Sequence, residues 1–214
     1  METNRDQRFV SIPVWDIGVR LFHWMLVTLV AYEFLFMAGT WAHNTIGYVI
    51  LVLIGFRVIW GFVGSHYARF SEFMKAPSVT LRYLVDISRG TPAPCIGHNP
   101  AGAAMIVVLL SMVSATSLTG WALRTDALWG EKWIETLHET LAYATLLFIA
   151  VHVCGVIVAS LQHRENLTKA MITGRKEKRI KDIMAGEPVR DWTVDPSSPQ
   201  NLTPDSATRQ RQRY

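Results

Sequence analysis

The stretch HETLAYATLLFIAVH, residues 138–152, begins and ends on a histidine and is mostly apolar between them. His138 and His152 stand fourteen residues apart. Fourteen steps of about 100° fall within ~40° of four full turns, so both imidazoles leave one face of a helix. At about 1.5 Å per residue they lie ~21 Å apart along its axis, too far to share one metal ion. A bilayer core is about 30 Å thick, and two haems stacked across it would each take one of these ligands. Taken singly, either histidine reads equally well as an ordinary helix histidine. The shared face and the spacing therefore require partners elsewhere in the chain.

Composition sets the environment. Of 214 residues half are hydrophobic and only 18% are charged, against the quarter usual in soluble domains. Eight tryptophans suit membrane interfaces, where their rings form belts. The net charge of +4 is gathered in a few segments and reads as a topology signal, which excludes a nucleic-acid surface. The two cysteines, Cys95 and Cys154, form no CxxC or CxxCH, so covalent c-type haem, a cysteine zinc site and a disulfide framework are not expected. No small-residue cleavage site follows the first apolar run, and no cleaved signal peptide is expected.

The expected fold is an all-α integral membrane bundle of four transmembrane helices. Residues 1–18 form a polar segment broken by Pro13 and Gly18. A membrane domain occupies 19–163, with spans at about 19–41, 43–63, 101–123 and 133–161. The few residues around His43 and Asn44 are the only link between the first two spans, which are therefore antiparallel neighbours. Between the second and third spans lies a loop with one short amphipathic helix near Val79–Ser88 at the membrane surface, followed by the breaker-rich TPAPCIGHNP. Pro100 opens the third span, whose Ala, Ser, Thr and Gly permit close helix packing. Residues 164–214 are a basic tail, disordered from Ala185 onward by its Pro/Ser/Gln content.

Lysine and arginine concentrate in the N-terminal segment, the long middle loop and the tail, which places both termini in the cytoplasm. Depth then pairs the histidines. His43 and His138 begin inward-running spans and meet near the outer face; His23 and His152 meet near the inner one. Each pair supplies two imidazoles from different helices to one iron, the ligation of a low-spin electron carrier with no position open to substrate. Arg57 repeats the fourteen-residue interval after His43, near the depth of the inner pair. It faces either a haem propionate or the inner interface, to which its side chain would snorkel. Arg20, one turn before His23, serves the same haem or acts as a topology residue. Glu33 is a mid-span carboxylate suited to bonding a neighbouring helix. His66 reads as interfacial, with an alternative as an inner ligand or a proton carrier near quinone. His98 braces the third helix, and His163 marks the interface.

PVWDIGVRLFHW, the run from His43 through RVIWGFVG, YARFSEF, GHNPAG and the H-x13-H of the fourth span together resemble the bacterial cytochrome b561 family. That family shares its four-helix core with the cytochrome b subunits of nickel-iron hydrogenases and respiratory formate dehydrogenases. The resemblance covers about residues 10–180. It implies two haem b groups ligated by His23, His43, His138 and His152, a place in the bacterial inner membrane, and electron exchange with the quinone pool.

The expected function is electron transfer across the membrane between quinone and a redox partner, either a hydrogenase-like enzyme or a c-type cytochrome. One alternative is a stand-alone superoxide:quinone oxidoreductase. Another, of a different class, is a non-redox membrane metal transporter or scaffold, which would gather its ligands around one ion; the fourteen-residue spacing opposes that.

Overall fold

A computed structural model describes residues 9–37, 40–89, 99–163 and 165–179. A strand, β1 (Phe9–Pro13), leads into helix α1 (Ile17–Tyr32), which widens into a π-helical turn over Glu33–Met37. Then come α2 (Trp41–Val63), a 3-10 turn at His66–Ala68, the short α3 (Phe70–Phe73) and α4 (Pro77–Ser88). The long helices α5 (Pro100–Ala122) and α6 (Lys132–His163) follow, then α7 (Leu167–Thr173) and β2 (Arg175–Arg179). Four of these segments are long and apolar enough to cross a membrane: Ile17–Phe36, Trp41–Val63, Pro100–Ala122 and Lys132–Gln162.

Side-chain caps fix where the helices start. Asp16 accepts from the backbone N–H of Val19 at 2.9 Å, and Thr40 from that of His43 at 3.3 Å. Asn99 accepts from Gly102 at 2.6 Å, with Pro100 in the first helical turn, where its missing N–H costs nothing. The cap at Thr40 starts α2 two residues ahead of the link expected around His43 and Asn44, so His43 belongs to the first turn of a helix. His98, expected to brace the third span, lies outside the described residues; Asn99 does the capping beside it.

Ile50 and Ile54 of α2 and Val113 of α5 form the buried core, with Leu26, Leu29 and Val30 of α1 packed against them. Helix α5, rich in small residues, lies along both α2 and α6, while α1 packs on α2. Large apolar side chains such as Leu35, Val52, Tyr143 and Leu161 point outward. Such an exterior is unfavourable in water and suited to lipid. Helix α4 begins at Pro77, and it is docked on protein: Tyr83 is completely buried, and α4 packs against α5.

At one end of the bundle β1 pairs antiparallel with β2, Pro13 opposite Arg175 and Phe9 opposite Arg179. The N–H groups of Val14 and Trp15 both donate to the carbonyl of Gly174, at 2.9 and 3.1 Å. Gly174 ends α7 in the left-handed conformation, φ 79°, and its N–H donates to Ala170. Neither strand was expected from the sequence. RKEKR is charged at every position and has no alternation, so its strand rests on backbone pairing with a segment from the other end of the chain. The tail from Ala185 lies outside the described residues.

Candidate functional site

Helix α6 packs along α5 and presents His138 and His152 toward α2 and α1. The rings of His43 and His138 face each other with centroids 6.0 Å apart and planes at 80°. At the opposite end His23 lies within electrostatic reach of His152. All four imidazoles are half-buried. The structure thus brings His43 and His138 into ring contact and His23 and His152 to the same end of the bundle.

The nitrogens distinguish the two pairs. Nδ1 of His43 is hydrogen-bonded to Oε2 of Glu33, which the π-helical turn carries inward and which is only 8% exposed. Nδ1 of His138 donates to the carbonyl of Thr116 at 3.0 Å and to Oγ1 of Thr119 at 3.1 Å. With Nδ1 engaged on both rings, Nε2 is the nitrogen left for a metal. At the other pair, Nδ1 of His23 is buried with no hydrogen-bond partner among the described residues.

Helix α5 furnishes the seat for His138. A Cβ at Gly120 would stand 3.0 Å from Cε1 and 3.4 Å from Nδ1 of that imidazole, so a side chain there would press the ring aside by a few tenths of an ångström. Thr116 also meets Thr145 of α6, Oγ1 to Oγ1, at 3.1 Å, which pins the two helices beside the histidine. Thr116, Thr119 and Gly120 were missed by sequence reasoning. The signal available was a T-x-x-T-G run on one face of a small-residue span, which reads equally as packing.

Arg57 is buried at 4% exposure and reaches the turn that follows α2. One Nη donates to the carbonyl of Ala68 at 3.3 Å, the guanidinium lies 4.9 Å from the centre of the Phe70 ring, and Nη1 has no partner among the described residues. Arg20 turns toward the C-terminal segment, where Nη2 donates to the carbonyl of Ile172, while its Nε is buried without a partner. His66 is exposed and pairs with Glu72 at 3.4 Å. Cys154 is exposed on α6, and Cys95 and the side chain of His163 lie outside the described residues.

These side chains fit haem. The ring centres of His43 and His138 stand 6.0 Å apart on different helices, a separation at which both imidazoles could hold one haem iron between them. Unpartnered buried cationic nitrogens on Arg57 and Arg20 suit anionic propionates. Among the described residues no three His, Cys, Asp or Glu side chains converge as a single-ion site would require.

Four apolar spans with imidazoles of different helices brought together fit the class of membrane-embedded cytochromes. The chain belongs to the prokaryotic cytochrome b561 family, whose model matches residues 14–174. It is a multi-pass membrane b-type cytochrome of electron transfer, and its family implies haem b. Among similar proteins is a probable Ni/Fe-hydrogenase B-type cytochrome subunit of Bradyrhizobium diazoefficiens, 23% identical over 79% of this chain and 87% of the relative. Proteins of the same description from Rhodobacter capsulatus and Azotobacter vinelandii are 24% and 25% identical, over 79% and 77% of this chain and 83% and 88% of their own. No solved structure matches.

Proposed function

We propose that the chain binds two haem b groups, one between His43 and His138 and one between His23 and His152, and relays electrons across the bacterial inner membrane. The partner proposed is a hydrogenase-like enzyme at one face, with the quinone pool as the other exchange partner. The facing of His43 and His138 with both Nδ1 atoms engaged carries this reading, since it leaves the ligating nitrogen of each ring available. The names of the relatives favour the hydrogenase-like partner over a c-type cytochrome or a stand-alone superoxide:quinone oxidoreductase.

Bound haem b supplies a one-electron iron couple. The chain supplies position and environment. Helix α6 contributes a ligand to each site, and α2 and α1 contribute the opposing ones. Arg57 and Arg20 are the cations proposed for propionates, Arg20 while also holding Ile172. The strand pair at one end requires the described segments of both termini to lie on the same side of the bundle, and the basic residues there favour the cytoplasmic side.

The purified protein, reduced with dithionite, should show a b-type α-band, and a hydrogenase-like, metal-containing subunit should accompany it through mild detergent. Absence of the band would end the haem reading; a band without such a partner, coupled to quinone reduction by superoxide, would favour the stand-alone alternative.

A further inference from the structure

Glu33 is the one feature of the His43–His138 pair that ligation alone does not require. Glu33 stands in the last turn of the span Ile17–Phe36, not at its middle, yet it is buried, and a buried carboxylate there is costly. Here the backbone itself departs from α-helix to deliver it: the N–H of Glu33 is shared between the carbonyls of Leu29 and Val30, and the π-helical turn begins at this residue. Turns of this kind re-aim the side chains that follow and gather at functional sites. Oε2 meets Nδ1 of His43, and Oε1 is buried with no hydrogen-bond partner among the described residues. Among those residues its one ion-pair partner is His43, so no lysine or arginine neutralises it.

The two ends of the bundle therefore differ. His138 gives its Nδ1–H to a neutral carbonyl and Nδ1 of His43 is hydrogen-bonded to a carboxyl oxygen, while Nδ1 of His23 has neither among the described residues. A carboxylate accepting from a ligating imidazole raises the basicity of the opposite nitrogen, which stabilises ferric iron over ferrous.

Resting on the two-haem reading, we propose that Glu33 is a positioning residue for the His43–His138 haem. It fixes the tautomer of His43 through Nδ1 and holds that haem at a lower reduction potential than the His23–His152 haem. Electrons then run downhill from the Glu33 end toward the end that carries both terminal strands, the direction a strongly reducing partner at the Glu33 face requires.

The test is a potentiometric titration of the detergent-purified protein followed at the α-band, with low-spin ferric EPR on the same samples. The wild type should give two one-electron waves. In Glu33→Gln the lower wave should rise by at least about tenfold in reduction equilibrium, ~59 mV for a one-electron couple, with the upper wave in place and one EPR signal shifted. Two retained haems with both waves unmoved would overturn the proposal. Should Glu33→Gln lose a haem, His138→Ala decides: the wave it removes must be the lower of the wild-type pair, and removal of the upper overturns the proposal. A wild type with no haem b is a different result, which sinks the two-haem reading itself.

Discussion

The carbonyl of Thr116 accepts the Nδ1 hydrogen of His138 at 3.0 Å. A carbonyl can only accept, so this bond determines the tautomer: Nδ1 carries the proton, and Nε2 presents its lone pair. Helix α5, which carries none of the proposed ligands, thereby sets which ring nitrogen of a residue on α6 is left free.

Substitution at Gly120 tests that seat. An added Cβ lies 3.0 Å from the His138 ring, so Gly120→Ala forces a shift of a few tenths of an ångström and Gly120→Val a larger one. Haem content per chain should fall at one site with alanine and further with valine, while the other site stays filled. Pyridine haemochrome analysis against protein concentration reads the result; full occupancy in Gly120→Val would show that the ring has room the structure does not assign it.

Asp16 ties the start of α1 to α2 and should make stability acid-sensitive. Burial raises its pKa, but hydrogen bonds from Ser65, Val19, Trp60 and Gly18 together outweigh this and hold it below its ordinary value. The Trp60 indole donates at 3.2 Å. Because the folded-state pKa is depressed, the stabilisation is complete above about pH 4, the unfolded value, and is lost as pH falls through the folded one. Asp16→Ala should lower stability by about 1 kcal/mol at neutral pH and flatten the acid limb of thermal unfolding in detergent. An unchanged acid limb would mean that Asp16 is not the group responsible.

Gly174 holds the strand end together through a positive φ and a close approach. Alanine there meets the left-handed penalty of about 1–2 kcal/mol, and its Cβ would lie 2.7 Å from the carbonyl oxygen of Trp15. Gly174→Ala should expose Arg175 and Lys176 to trypsin faster than in wild type, with the haem spectrum intact. Equal cleavage rates would contradict the anchoring described for this residue.

Much of this arrangement was legible in the sequence because it rests on local periodicity. The apolar runs mark the spans, and the fourteen-residue intervals place His138, His152 and Arg57 on helix faces. Depth then brought His43 opposite His138. What escaped notice depends on contacts between distant segments. The β1–β2 pair has no alternating pattern to betray it, and Arg20 was read beside a haem or as a topology residue while its Nη2 reaches Ile172. Thr116, Thr119 and Gly120 carry no chemical signature until α5 lies against His138. In the sequence Glu33 reads as a carboxylate suited to bonding a neighbouring helix; that its partner is a proposed ligand emerges only from the π-helical turn.

Helix α6 is proposed to supply one ligand to each of two haems, and haem stoichiometry in single histidine variants reads this out. Wild type should contain two haem b per chain by pyridine haemochrome. His43→Ala and His138→Ala should each leave one haem with the same spectrum and potential, and His23→Ala and His152→Ala should each leave the other. One haem per wild-type chain, or loss of the same haem from both His138→Ala and His152→Ala, would contradict it.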